Sequence, residues 1–346
     1  MPKSLPTIKQ IAQQLQVSPA TVSRALHNHP RIGIQTREKI QKLAAELGYV
    51  PNTQAIHFKQ KRSFVIGVIV PQIREAFFSE AISGMETIAL ANDYTILFGQ
   101  SYDDPEREKT VVNAMKRQRV DGLLISLSKK TTHYDHLLAL EKLQIPVVYF
   151  DRVPNLADAH KVFCNIYAGT LEMIKWLFKH QFRKIGILNG PADLPASRER
   201  MKAYIDGISR QHLKIDMQWV AETDLSQEST FAAMETLLQT RKPPNAIISF
   251  NDYVHMDAVQ WAIQHKIKVN QDLAFVSYAN LPITRYTTYP PLLSLEQYPE
   301  KQGSVAMQVM MDLLLQKTLS SEEKTPPVHR EIPFGIAEPP GKLQGS

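Results

Sequence analysis

From residue 64 onward the chain reads the same way twice, and that duplication limits the fold more than any other feature. Short β-type runs at 64–71, 94–99, 122–126 and 147–150 alternate with amphipathic stretches such as 79–91 and 106–117. The order then recurs at 185–188, 219–222, 246–250 and 274–278. The halves echo each other in detail. GVIVP at 67–71 answers GILNGP at 186–191, and SYDDPEREKTVVNAM at 101–115 answers TDLSQESTFAAMETL at 223–237. DGLLISLS at 121–128 answers NAIISFND at 245–252. Strands alternating with helical patterns predict an α/β fold of doubly wound parallel sheets. Two such lobes joined by crossovers leave a cleft at the C-terminal ends of their strands, where ligands of open α/β sheets bind.

The first 63 residues differ in charge from this body. They carry ten Lys/Arg against Glu38 and Glu46, a charge of +8, which leaves −2 for the rest of a chain of net +6. A basic head on a near-neutral body points to a polyanionic partner for the head. No apolar run reaches the roughly 18 residues a membrane helix needs, and no signal-peptide core precedes the body. The single cysteine, Cys164, has no partner for an internal disulfide. Together these features predict a cytoplasmic chain.

The head also has helical order. Ile8, Ile11, Ala12 and Leu15 repeat at helical spacing behind Thr7, a suitable N-cap. Ser18 caps a second helix that begins at Pro19 and runs roughly to Asn28, with Val22, Ala25 and Leu26 as its apolar stripe. Ile40, Leu43, Ala44 and Leu47 mark a third, stopped by Gly48. Three short helices with a tight turn between the first two predict a helix-turn-helix, whose second helix enters the major groove. Its outward side chains include Ala20, Thr21, Ser23 and Arg24. Arginine pairs with guanine, hydroxyls suit phosphates, and methyl groups suit thymine.

Residues 7–51, TIKQIAQQLQVSPATVSRALHNHPRIGIQTREKIQKLAAELGYVP, closely resemble the head of the lac repressor (LacI/GalR) family of bacterial transcriptional regulators. The resemblance assigns base contacts to Pro19, Ala20 and Arg24. It places Ser18, Thr21, Ser23, Arg31 and Thr36 near phosphates. It also implies a hinge helix at 52–63, with Asn52 as cap, Ala55 as the small residue and Phe58 as an apolar minor-groove wedge. Gly33 stands where many relatives have a serine cap. The body resembles the core of the same family, which is similar to periplasmic sugar-binding proteins. FDR at 150–152, SRERMKAY at 197–204, FND at 250–252 and PPLLSLEQ at 290–297 are its landmarks. The expected organisation is a helix-turn-helix domain at 1–51, the hinge at 52–63 and a ligand-binding core at 64–346. Within the core, one lobe covers about 64–165 plus 296–330 and the other about 166–295. No leucine heptad follows for a tetramerising coil.

Asp151, Arg200 and Asn251 fall just past strand ends or on the helices that follow. A carboxylate, a guanidinium and an amide together suit a polyhydroxy ligand, because each hydroxyl both donates and accepts. The resemblance gives these three residues that role. Phe77 and Phe78, placed in the loop after the first strand, would form an apolar wall. Ala279 stands where several sugar-binding relatives carry Asp, and Asn280 follows it as a substitute. Leu225 replaces an aromatic that stacks on the ligand in some relatives, and the two departures leave a nucleobase or a phosphorylated sugar open as the ligand.

No nucleophile–base pair, phosphate loop or dinucleotide motif is evident. His133 and His136 have metal-like spacing but no nearby third ligand, and are expected on the solvated surface. Cys164 is expected to be a small buried residue. The prediction is a DNA-binding regulator and not an enzyme, with no cofactor and no metal. It works as a homodimer on a pseudo-palindromic double-stranded operator and answers to a small effector, a sugar or sugar derivative. The rival readings are a solute-binding protein or an enzyme on the same α/β fold.

Overall fold

The computed structural model of the chain describes residues 6–49, 62–192, 194–319 and 326–338. The expected hinge positions Asn52, Ala55 and Phe58 lie outside the described residues. The chain divides into two compact units, Met1–Ser63 and Phe64–Ser346.

The first unit holds α1 (Ile8–Gln14), α2 (Pro19–Leu26) and α3 (Ile34–Glu46). Thr7 and Gln10 cap α1 reciprocally. The Thr7 amide donates to Gln10 Oε1 at 2.7 Å, and the Gln10 amide donates back to Thr7 Oγ1 at 3.4 Å. Ser18 Oγ accepts the Thr21 amide at 3.0 Å, and Pro19 occupies the first helical position, where an N–H would find no partner inside the helix. Gly33 opens α3 with no side-chain cap, and Gly48 ends the segment at φ +62°. The second helix is two residues shorter than its pattern suggested. His27 Nδ1 lies 2.8 Å from the Ser23 carbonyl, and Asn28 turns left-handed at φ +54°, its side-chain oxygen accepting Gln41 Nε2 at 2.9 Å. Asparagine tolerates that conformation. Ile11, Ala12, Val22, Ala25, Ile40 and Ala44 meet in one core.

The second unit opens with β1 (Val65–Val70), α4 (Ala76–Ala91), β2 (Thr95–Gln100), α5 (Pro105–Arg117), β3 (Gly122–Ile125), α6 (Asp135–Glu141), β4 (Val147–Phe150) and β5 (His160–Cys164). It continues with α7 (Ile166–Lys179), β6 (Ile185–Asn189), α8 (Pro195–Arg210), β7 (Val220–Glu222), α9 (Gln227–Leu238), β8 (Ala246–Ser249), α10 (Asp252–Gln264) and β9 (Ala274–Tyr278). The last elements are β10 (Leu293–Glu296), α11 (Pro299–Leu319), β11 (His329–Ile332) and β12 (Gly335–Ala337). Two sheets result, ordered β11-β5-β4-β3-β1-β2 and β12-β10-β9-β8-β6-β7. All neighbours run parallel except β12, which is antiparallel to β10.

The central strands of each sheet are buried on both faces. In the first, Val148 and Phe150 point toward α4 and α11, while Val147 and Tyr149 point toward α5 and α6. That alternation within one strand is why β4 reads as continuously apolar. The chain passes from the first sheet to the second between Cys164 and Ile166, returns between Glu296 and Pro299, and crosses again between Ile332 and Gly335. The last crossing has no counterpart in the sequence reading, which ended the first lobe near residue 330.

Helices α4 and α11 approach almost backbone to backbone. A Cβ placed on Gly84 would overlap the Glu300 carbonyl, and one on Gly303 would overlap the Ala81 carbonyl. Glycine inside a helix weakens it relative to alanine, so the benefit of these two lies in the close approach. Gly303→Ala should therefore destabilise the protein by about 1–3 kcal/mol despite its better helix propensity. Equilibrium urea denaturation measures this, and an unchanged or raised midpoint would contradict the packing argument.

Candidate functional site

In the head, most of the residues expected to contact DNA are exposed. Pro19, Ala20 and Arg24 on α2 are exposed, and Thr21 and Ser23 are half-buried beside them. Arg24 has no ion pair among the described residues. Ser18 Oγ lies 2.9 Å from Thr21 Oγ1, so these hydroxyls are partly committed to the helix start. Arg31 and Thr36 are exposed on the same unit.

In the body, a cavity of about 150 Å³ lies between the lobes at the C-terminal ends of the strands. Phe77, Phe78, Asp151, Arg200 and Asn251 all border it. Two corrections follow. Phe77 and Phe78 belong to the first turn of α4 rather than to a loop, with Phe78 almost fully buried and their rings edge-to-face at 5.3 Å. Asn280 does not border the cavity. Its side chain donates to Glu296 Oε2 at 2.8 Å, and Ala279 before it takes the place on the wall. Leu225 packs into the second lobe's core and is likewise not on the wall. Asn251 has two tasks, because its Oδ1 also caps α10 by accepting the Val254 amide at 2.9 Å.

The charges of the cleft are only partly paired with one another. Asp151 sits at φ +57°, just past β4, and accepts Ser126 Oγ at 3.0 Å. Burial pushes its carboxyl up, against the opposing pull of Arg152 and the Ser126 hydrogen bond. Arg152 donates to Asp103 through one terminal nitrogen, and its Nε lies 3.9 Å from Asp151 Oδ2. Lys129 is held by the same carboxylate, at 3.3 Å. Arg200 is 5% exposed, and no ion pair joins it to a carboxylate among the described residues. Its guanidinium lies over Phe250 at 4.2 Å and Tyr278 at 4.4 Å, while one nitrogen donates to the Ala196 carbonyl at 3.2 Å and Nε has no hydrogen-bond partner. Burial holds its pKa below the ordinary value. A buried guanidinium held between aromatic faces is a strong donor for ligand oxygens. Sequence reasoning missed Glu75, Arg152 and Glu199, which border the same cavity. Their positions, next to residues already singled out, were the available signal.

The remaining chemistry-bearing residues serve the scaffold. His136 is not a solvated surface residue. Its Nε2 lies 3.0 Å from the fully buried Glu108, which also accepts the Ser128 amide at 2.7 Å and Thr131 Oγ1 at 3.0 Å. His133 is exposed. Cys164 is buried at the cavity edge, and desolvation pushes its thiol up to about 12.

Asp252 is fully buried at the start of α10. It accepts the Leu281 amide at 2.6 Å and Ser294 Oγ at 3.4 Å, pinning the wall segment in which Ala279 and Asn280 adopt φ +97° and +51°. Desolvation pushes its carboxyl up to about 6. The folded state thus binds this proton more tightly than the unfolded chain, so stability falls as pH rises from about 4 to about 6. Over that range the protein should lose on the order of 1–3 kcal/mol more than Asp252→Asn does. Parallel denaturation curves at several pH values check this, and identical pH slopes would contradict it.

The chain matches known proteins along almost its whole length. Residues 7–52 match the family described as "Bacterial regulatory proteins, lacI family", and residues 66–318 match "Periplasmic binding protein domain". It is 29% identical over 306 residues to the HTH-type transcriptional repressor CytR of Escherichia coli (strain K12), covering 88% of this chain and 89% of that protein. To the HTH-type transcriptional repressor PurR of Klebsiella pneumoniae (strain 342) it is 27% identical over 319 residues, covering 91% and 92%. The fold matches the lac repressor dimer bound to operator and the anti-inducer ONPF, with a TM-score of 0.83 at 21% identity, covering 97% of this chain and 98% of that one. With its capped three-helix head and two-lobed body both matched in this way, the chain joins a lacI-family helix-turn-helix head to a body that belongs to the periplasmic binding protein domain family.

Proposed function

We propose that the protein is a cytoplasmic transcriptional repressor that binds a pseudo-palindromic operator as a homodimer and answers to a small polyhydroxy effector, a sugar or sugar derivative, held between the lobes. The observation that carries the reading is the union, in one chain, of an exposed reading helix bearing Arg24 with a cleft in which Asp151 and Arg200 face the same space without pairing to each other. A ligand with hydroxyls supplies both the donors that Asp151 lacks and the acceptors that Arg200 lacks. The repressors CytR and PurR, which share this head and body, support the regulatory half of the reading. One recognition helix covers only a few base pairs, so two copies are needed for useful specificity. Catalysis has no part in this reading: among the described residues the cleft holds no nucleophile hydrogen-bonded to a base, and the Cys164 thiol at its edge is pushed up to about 12.

Two outcomes are expected. Arg24→Ala should cost about 1–3 kcal/mol in operator binding and relax specificity at one base pair per half-site, as a guanine contact requires. Equal weakening on every sequence, measured by competition gel shift, would assign Arg24 to a phosphate instead. In the body, effector and operator binding should be coupled by about 1–3 kcal/mol, and reciprocally. Arg200→Ala should abolish that coupling while effector-free operator affinity stays near wild type. Operator titrations with and without effector, in both proteins, decide this. An Arg200→Ala protein that still responds normally would remove the residue from the site.

A further inference from the structure

Glu75 stands at a position where its side chain would ordinarily serve the backbone. It is the N-cap of α4, yet it makes no side-chain cap bond, so the first turn of that helix gains nothing from it. Short Ser, Thr, Asp or Asn side chains reach back to the N2 and N3 amides, and glutamate is too long to do so well. The carboxylate instead borders the interlobe cavity, half-buried next to Phe77 and Phe78. Among the described residues it has no hydrogen bond and no ion pair within 4 Å.

The charges around it do not supply a partner. Arg152 and Lys129 are the cations that act on it, and both are held by Asp103. Asp103 and Asp151 are the anions that oppose it. On this wall three carboxylates face two cations: Asp103 holds Arg152 and Lys129, and Arg152 Nε also lies 3.9 Å from Asp151 Oδ2. Of the three carboxylates, Glu75 alone has no ion pair among the described residues. The opposite wall adds Glu199, whose Oε1 accepts the Tyr167 amide at 3.2 Å, and the buried Arg200. Burial raises the carboxyls of Glu75, Asp151 and Glu199 alike.

We propose that Glu75 is a ligand-contacting, charge-selecting residue of the cleft, accepting hydroxyl or amine protons from a neutral or cationic ligand and excluding phosphorylated or carboxylated ones. The inference rests on the ligand-binding reading above and narrows its class. A half-buried carboxylate without a partner keeps its full desolvation penalty until a donor arrives. A ligand O–H or N–H relieves that penalty, whereas a ligand anion adds like-charge repulsion at close range. The Phe77 ring beside it offers an apolar face to the same ligand, so that ring contact and proton donation select together.

The test is isothermal titration of the full chain, Glu75→Gln and Glu75→Lys with matched probes. These are D-ribose against its phosphate ester and cytidine against cytidine monophosphate, with inorganic phosphate run separately. For the wild type, the neutral member of a pair should bind at least about tenfold more tightly than its phosphate, a difference of roughly 1.4 kcal/mol. The ratio should shrink in Glu75→Gln and invert in Glu75→Lys, and inorganic phosphate should bind only the lysine variant. A wild type that takes the phosphate as well as the neutral member would overturn the role of Glu75 and leave the cleft reading standing. So would a lysine variant no better at binding inorganic phosphate. A wild type that takes no member of either pair, while operator binding is intact, counts against the cleft reading itself and the inference falls with it.

Discussion

The body depends on one constraint. A parallel sheet built from crossover connections has helices on its faces, so its central strands must be apolar on both sides. The alternation of Val147 and Tyr149 against Val148 and Phe150 meets this within a single four-residue strand. With helices on both faces, the loops that follow the strands converge at the C-terminal strand ends, where open α/β sheets hold their ligands. Asp151 after β4, Asn251 after β8 and Ala279 after β9 are all at such ends. The cleft is thus a result of how the sheets are covered, and the polar residues in it are confined to positions that the core does not need.

Much of this was legible in the sequence because it rests on local rules. The caps at Thr7 and Ser18, the stop at Gly48 and the apolar stripes of the head follow from backbone geometry and helical spacing. So do β1, β3, β4, β8 and β9, whose apolar runs stand out. What stayed hidden depended on distant partners. His160–Cys164 and His329–Ile332 pair with each other at one sheet edge, where charged and imidazole side chains suffice and no apolar run is required. The start of α4 was misplaced by a few residues because Glu75 does not look like a cap, and by hydrogen bonding it is not one. His136 was read as a surface residue because its partner, Glu108, lies a full strand and loop away in sequence.

The same limit applies to the charges. Asp151 and Arg200 can be picked out as residue types, but whether they are free to meet a ligand depends on what else holds them. Asp103, which no sequence pattern marks, occupies both Arg152 and Lys129. It thereby draws both cations away from Glu75, although Arg152 keeps a longer contact with Asp151. Phe250 and Tyr278 orient Arg200 without satisfying its hydrogen-bonding capacity. The site's chemistry is set as much by these surrounding residues as by the groups facing the cavity.

The three passages of the chain between the lobes have a mechanical consequence. Strands β5 and β11 are neighbours at one end of the first sheet, and β10 and β12 are neighbours at the matching end of the second. Every link therefore leaves from the same side. A single tether would let the lobes tumble about any axis. Links set side by side along one margin leave them free to swing about that margin and stiff against torsion. Lever arms then grow with distance from it, so a slight closure near Cys164 and Glu296 becomes the largest displacement at the far margins, on β2 and β7.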